Sequence, residues 1–457
     1  MEEDRPLECG VTIRSSSVSS DPGVSNRDLG HGGGSGSGCG GNATWNRVVI
    51  VGGGIAGSLL AKSIQFHADV VLIDQKEYFE IPWATLRSTV EQPVAEKAIF
   101  YHTDYLVNGT VITSSAVDVT ETEVITADGR HVTYDYLVIA TGHTASSPRC
   151  KRDMIEKFKE GISVLIIGGG PAGVELASDI ASVYPEKKVT LVHSGSRLLG
   201  FIGRKAGNKA LEWLRSKNVD VLLEQSIDLD TISEADGIYM TSAGEAIAAD
   251  CYYVCVNRPL GSSWLKKSMV LKDSLDIYGQ LKVDGHLRVK GRNNIFAIGD
   301  IVDVPERKQG MLAQRHAMVV AKNLKQLMKV SNKEIKLSKY RPSISITMVS
   351  LGKKDAVAEL PFTTMSGFLP GLIKTRELFL RRTRKLLGVD HHSGFFITSM
   401  LPSLHHLKKR LMKIQSEVIL FMITGCWYPF LDKRSKDAYC MPHIRPLVRL
   451  ACGTMAC

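Results

Sequence analysis

The stretch "VVIVGGGIAG" (Val48–Gly57) recurs as "VLIIGGGPAG" (Val164–Gly173). Each runs from four apolar residues into a glycine cluster and then into a helix-forming segment, the order of strand, tight turn and helix. Few folds accept that order. The glycines are spaced G-x-G-x-x-G, as Gly52, Gly54, Gly57 and as Gly168, Gly170, Gly173. The first permits the tight turn, the second lets a pyrophosphate approach the main chain, and the third lets helix and strand pack closely. The helix N-terminus then presents free N–H groups to phosphate oxygens. One such turn serves one dinucleotide, so two predict a pair of dinucleotides and a transfer between them.

The segments around the turns set the organisation. After the first turn come a helix, "SLLAKSIQF", and a strand, "DVVLID". Asp74 ends that strand, 22 residues after Gly52, where a carboxylate can bond the hydroxyls of an adenosine ribose. Strand-like pieces follow in "GTVITSSAVDV" and "EVITADGRHVTYDYLVIATG", with Gly129 at a hairpin tip. The second unit runs from "ISVLIIGGG" through "VTLVHS" and "NVDVLLEQSI" to a hairpin around "TSAGEAI". The chain then returns to "NIFAIGD" and a helix, "QGMLAQRHAMVVAKNLKQLMK". "LVIATG" (Leu137–Gly142) and "NIFAIGD" (Asn294–Asp300) are strand ends of small residues plus one polar group. Strand C-termini face the ligand crevice of an open α/β sheet, so Thr141, Gly142 and Asp300 become candidates, Asp300 as acceptor for a polyol such as ribitol.

The expected fold class is α/β, with two nested Rossmann-like dinucleotide-binding domains and a small α+β C-terminal domain. Residues 1–44, rich in Gly and Ser, read as a disordered leader. The first domain takes 45–145 and 275–330, the second 146–274, and the C-terminal domain 331–390. A basic tail fills 391–457.

Composition narrows the setting. The 457 residues are 44% hydrophobic, enough for two or three domains with real cores. No run of 18 apolar residues predicts a spanning helix. The opening "MEEDRPLECG" carries acids where a signal or transit peptide carries Arg or Lys, and it has no glycine after Met for myristoylation. Nine scattered cysteines read as reduced thiols of a cytoplasmic protein. Of the net charge of +10, the segment Leu372–Asp390 carries +4 and His391–Cys457 carries +6, so the first 371 residues are neutral. That asymmetry fits either a surface resting on anionic lipid or a solvated tail. Within the tail, Leu404, Leu407, Leu411, Ile414, Val418 and Phe421 repeat at helical spacing beside Lys408, Lys409 and Lys413, the pattern of an amphipathic basic helix.

With the two turns and both strand ends in place, the sequence resembles the two-dinucleotide-domain flavoproteins of the pyridine nucleotide-disulphide oxidoreductase superfamily. Within it, the sequence is similar to the apoptosis-inducing factor homologue and ferroptosis suppressor branch, as a plant-type member. The resemblance runs from Val48 to Gly388 and includes "ATLRSTVE", "GGGPAGVELASDI", "YPEKKVTLVHS", "LKVDGHLRVKGRNNIFAIGD" and "KTRELFL". It implies FAD in the first domain, NADH or NADPH in the second, and reduction of a quinone at a membrane surface. It implies FAD contacts at Gly52, Gly53, Gly54, Ile55, Ala56 and Gly57, and at Asp74, Arg87, Thr141, Gly142 and Asp300. Ser114 would add a backbone contact at the adenine end. Glu175, in "GVEL", matches the family acid near the nicotinamide and flavin rings and is the catalytic candidate, with a first-turn helix glutamate as the plainer alternative.

Some positions leave choices open. His193 stands where Asp74 stood, and Arg197 follows it, close enough for a 2′-phosphate or serving as a loop charge. A disulfide reductase needs a cysteine pair soon after the first turn, yet no Cys lies between Cys39 and Cys150. Cys251 and Cys255 share a strand face about 13 Å apart, too far for a disulfide. No metal is expected, and electrons would pass directly to a diffusible acceptor. The rival reading is a protein acting by partner or nucleic-acid binding. A neutral body with a basic end favours an enzyme at a surface instead, with no specific nucleic acid expected.

Overall fold

Val48, Val49 and Ile50 are fully buried, so their strand, Arg47–Val51, has no solvent face and needs cover on both sides of its sheet. The computed structural model describes residues 45–144, 158, 160–230, 237–256, 259–329, 335–343, 346–361, 363–375 and 378–389. It sets that strand at the centre of a five-stranded parallel sheet. The order is Ile295–Ala297, Tyr136–Ile139, Arg47–Val51, Asp69–Asp74, Thr110–Thr113. The helix of the first turn, Ile55–Ile64, packs against Gly310–Leu327, which arrives from far along the chain. The first unit is therefore completed only after the second has been built.

The second sheet has four parallel strands, ordered Asp220–Leu223, Lys188–His193, Ser163–Ile167, Cys251–Val254. The helix Pro171–Val183 follows its glycine turn, with Pro at the first helical position, where the missing N–H costs no hydrogen bond. The expected hairpins form where φ must be positive, with Gly129 at +79° and Gly244 at +81°.

The C-terminal piece spans both cores. Its antiparallel strands Thr347–Leu351, Asp355–Glu359 and Thr364–Gly367 place Val349, Leu351 and Val357 in the second unit's core, against the helix Pro171–Val183. The helix Phe368–Lys374 covers these strands. The helix Leu380–Leu387 returns to the first unit, where Leu378, Leu387 and Val389 join its core.

The packing divides the basic residues of the segment Leu372–Asp390 between protein contacts and the surface. Of the six basic residues between Lys374 and Lys385, Lys374 is half-buried and held in an ion pair with Glu175. Arg384 bonds the Lys97 and Val389 carbonyls. Arg376 lies outside the described residues, and Arg381, Arg382 and Lys385 are exposed. The leader 1–44 and the tail 391–457, with its amphipathic pattern, also lie outside them. No helix of the described residues is long and apolar enough to cross a membrane.

Candidate functional site

The two glycine turns repeat the same steric pattern. Gly52 has φ +105°, and a Cβ there would come within 2.5 Å of the Ala140 carbonyl oxygen. A Cβ on Gly57 would lie 1.8 Å from the Gly52 oxygen. Gly54 differs: its φ of −73° and ψ of −168° suit any residue, and a Cβ would meet nothing within 4 Å. No part of the fold requires glycine there; a ligand lying against the backbone would. The second turn follows suit. Gly168 has φ +117° and faces the Cys255 oxygen at 2.5 Å, Gly173 faces Gly168 at 1.8 Å, and Gly170 opens on space. Each turn thus fits a diphosphate where the second glycine stands.

The first turn is supported from below. A Cβ on Gly53 would strike the His102 ring at 2.5 Å. His102 Nδ1 meets the Tyr105 hydroxyl at 2.6 Å, which donates to Ser58 Oγ at 2.8 Å, which donates to the Gly53 carbonyl at 2.7 Å. The relay has one consistent direction, with the ring proton on Nδ1. Burial holds His102 below its ordinary range, against the pull of Asp74. Asp74 accepts the N–H groups of Gly53 at 2.5 Å and Lys76 at 2.8 Å, which orient its carboxylate at the turn. Ile55 and Ala56 open the helix that follows. Ser114 donates its N–H to the Asp74 carbonyl at 2.8 Å and its hydroxyl to Asp128 at 3.0 Å.

At the strand ends, Gly142 takes φ +52° and Thr141 Oγ1 is buried without a hydrogen-bond partner. An orphaned hydroxyl beside the first turn suits a polar ligand atom. His143 places Nδ1 3.1 Å from Asp300 Oδ2, joining two strand ends 157 residues apart. His143 was not among the residues expected at the site; its signal in the sequence is a histidine directly after "ATG". The chain crosses between the units here, with Gly261 N–H donating to the Gly142 carbonyl at 2.7 Å.

Glu175 lies near the start of the helix after the second turn and is buried. Its Oε1 accepts from Ser350 N–H at 2.9 Å and from Lys374 Nζ at 2.5 Å, and Lys374 also donates to the Met348 carbonyl at 2.8 Å. The carboxylate is thus fixed by the C-terminal piece, a partnership the sequence did not show.

Arg87, which the resemblance assigns to FAD, gives its guanidinium to protein groups in this structure. It bonds Asp179 at 2.8 Å, the Gly352 carbonyl at 2.9 Å and the Thr375 carbonyl at 3.0 Å. The pair is nearly dry, with side-chain exposures of 6% and 2%. Burial pushes Asp179 up to about 6 against the pull of Arg87, with Glu175 and Glu91 adding repulsion. One guanidinium therefore ties the helix Pro82–Val90 of the first unit to the second unit and the C-terminal piece.

In the second unit, the His193 ring packs against Gly169 and burial lowers its pKa. Arg197 is turned into its own loop, donating to the Ile202 carbonyl at 2.7 Å and the Gly200 carbonyl at 2.5 Å. Among the described residues the only cysteines are Cys251 and Cys255, neither of them in a disulfide.

Two dinucleotide turns on nested parallel sheets define a flavoprotein oxidoreductase driven by a pyridine nucleotide. The chain belongs to the pyridine nucleotide-disulphide oxidoreductase family, whose pattern matches residues 46–319. Its cofactors are FAD and NADH or NADPH. The chain is 31% identical over 371 residues to apoptosis-inducing factor homolog A of Dictyostelium discoideum, covering 74% of this chain and 90% of that protein. It is 29% identical over 366 residues to ferroptosis suppressor protein 1 of Taeniopygia guttata, covering 75% and 96%. The fold is similar to that of the sulfide:quinone oxidoreductase from Aquifex aeolicus, with a TM-score of 0.57, 19% identity, and coverage of 75% and 92%.

Proposed function

We propose that the protein carries electrons from NADH or NADPH to a quinone. Bound FAD supplies the hydride acceptor and the electron donor between the two substrates. The first turn, Asp74 and the Thr141–Asp300 strand ends hold that group, and the second turn holds the nicotinamide nucleotide. The observation that carries the acceptor assignment is the lack of cysteine in the described first unit. Cys251 and Cys255 stand in the second sheet and the region after it, so among the described residues no thiol relay adjoins the first turn. A diffusible acceptor then takes the electrons, and the name of the Aquifex neighbour supports a quinone. In the test, NADH or NADPH bleaches the flavin bands anaerobically, and a water-soluble quinone restores them. Restoration by a disulfide and not by quinones would overturn the proposal.

Glu175 is proposed to orient the nicotinamide edge, held by Lys374 and Ser350 N–H. Glu175→Gln is expected to slow stopped-flow bleaching by about 100-fold, roughly 2.7 kcal/mol of barrier, with FAD retained. Lys374→Met should act in the same direction and less strongly. Unchanged bleaching in Glu175→Gln would reduce this residue to a helix-terminal charge.

A cytoplasmic protein resting on an anionic membrane face is the accompanying proposal. Phe368 and Leu369 are 63% and 58% exposed, and Arg381, Arg382 and Lys385 are also exposed. Each basic group near an anionic surface contributes about 1 kcal/mol, within a Debye length of roughly 10 Å. Arg381→Glu with Arg382→Glu should abolish co-sedimentation with anionic liposomes at low salt. Unchanged recovery would remove this surface as the contact.

A further inference from the structure

One buried polar cluster in the first unit has no part in the chemistry above. His316, on the helix Gly310–Leu327, is 2% exposed, the Glu306 side chain is 3% exposed, and Tyr340 is 7% exposed. Burying three polar side chains together is costly unless they satisfy one another and fix something. Gly299 N–H donates to His316 Nδ1 at 3.1 Å. An amide donates only to a ring nitrogen with a free lone pair, so the ring proton sits on Nε2. Nε2 lies 2.9 Å from Glu306 Oε1, somewhat off the axis of a good hydrogen bond. The Tyr340 hydroxyl faces the same carboxylate, 2.9 Å from Oε1 and 2.8 Å from Oε2. The His316 and Tyr340 rings meet edge to face with centroids 4.3 Å apart, and Arg315 lies over the Tyr340 ring. Burial first, then Lys308, pushes His316 down to about 4, which agrees with a neutral ring accepting from an amide.

What the cluster grips is a single peptide group. Gly299 has φ +81° and immediately precedes Asp300, the acid at the end of the strand Ile295–Ala297. Asp300 meets His143 across the crevice. The partly buried acid sits on a left-handed turn, and the bond to His316 holds the N–H of that turn in one place.

We propose that His316, backed by Glu306 and Tyr340, is a positioning residue for FAD: by accepting the Gly299 N–H it sets Asp300 to receive a ribityl hydroxyl. The proposal rests on the assignment of FAD to the first turn. His316 does not touch the reacting atoms, and its effect runs through one backbone N–H.

That makes the test a matter of where an acceptor stands. His316→Asn puts an amide oxygen near the place of Nδ1, whereas His316→Gln carries it toward the place of Nε2. Both variants are polar, so a general need for polarity at this site predicts equal behaviour. The measurement is the FAD release rate of the holoprotein, followed by the rise in flavin fluorescence on dilution, with melting temperatures recorded alongside. His316→Gln is expected to release FAD about tenfold faster than the unsubstituted protein, a difference of roughly 1.4 kcal/mol, with His316→Asn within about threefold. Equal rates in the two variants, both slow or both fast, would overturn the proposal. Tyr340→Phe keeps the ring and removes only the hydroxyl, so it tests the backing even if one histidine variant does not fold. A severalfold faster release supports the backing, and an unchanged rate overturns it. An unsubstituted protein that neither holds nor takes up FAD would overturn the cofactor assignment itself, a separate failure seen before any variant is made.

Discussion

Replacing Gly54 by Val is expected to give a folded protein that has lost its flavin. Gly54 sits at ordinary backbone angles, and its missing Cβ would point into open space, so the chain itself has no objection to a side chain there. The objection comes from a diphosphate lying against the main chain. FAD affinity should fall at least about 100-fold, some 2.7 kcal/mol. The flavin-to-protein absorbance ratio reads the loss, and far-UV circular dichroism shows whether the fold is kept. Gly57→Val provides the contrast, because its Cβ would lie 1.8 Å from the Gly52 oxygen and must disrupt the turn. Gly170 is Gly54's counterpart in the second turn. Gly170→Val should therefore leave a yellow protein that dithionite bleaches and NADH or NADPH does not. A Gly54→Val protein with full flavin occupancy would show that the first turn does not hold the diphosphate.

The second large effect is on stability. Arg87→Met should destabilise the protein by about 3–5 kcal/mol near neutral pH, because it strands Asp179 in a dry site without the guanidinium that pairs with it. The loss should depend on pH in a definite direction. Asp179 is already pushed up to about 6 with Arg87 present, and removing the cation raises it further. In the unfolded chain the group titrates near its ordinary value of about 3.9. Between those values the folded variant holds a proton that the unfolded chain has released, so its stability falls as pH rises, by about 1.4 kcal/mol per unit. The deficit relative to the unsubstituted protein should therefore shrink from pH 7 to pH 5, as Asp179 protonates in both. Denaturant midpoints at the two pH values check this. Arg87→Lys should recover little, since a single ammonium cannot reproduce a fork bonded to Asp179, Gly352 and Thr375. A deficit that stays constant or grows on acidification would show that Asp179 is not the stranded group.

The same pair marks the boundary between what the chain spells out locally and what folding decides. The double turn, its strands, the hairpins at Gly129 and Gly244 and the nested order were all legible, because glycine spacing and apolar runs act over a few residues. Spacing alone singled out Gly54 and Gly170 as the glycines a ligand would need, and the structure adds that the described fold does not require them. Charged residues carry no such periodicity. Arg87 looked like a cofactor ligand within its own segment, yet its partner Asp179 lies 92 residues on. Lys374 read as one of six basic residues toward the C-terminal end until the fold brought it to Glu175, 199 residues away. His143 reached Asp300 across 157 residues, and His316 found the Gly299 amide through the packing of a helix that closes the first sheet late in the chain. Short-range geometry was thus written in the sequence by itself. Which buried charge answers which was decided only by the tertiary structure, because a desolvated charge takes the partner that packing brings to it, whatever their separation along the chain.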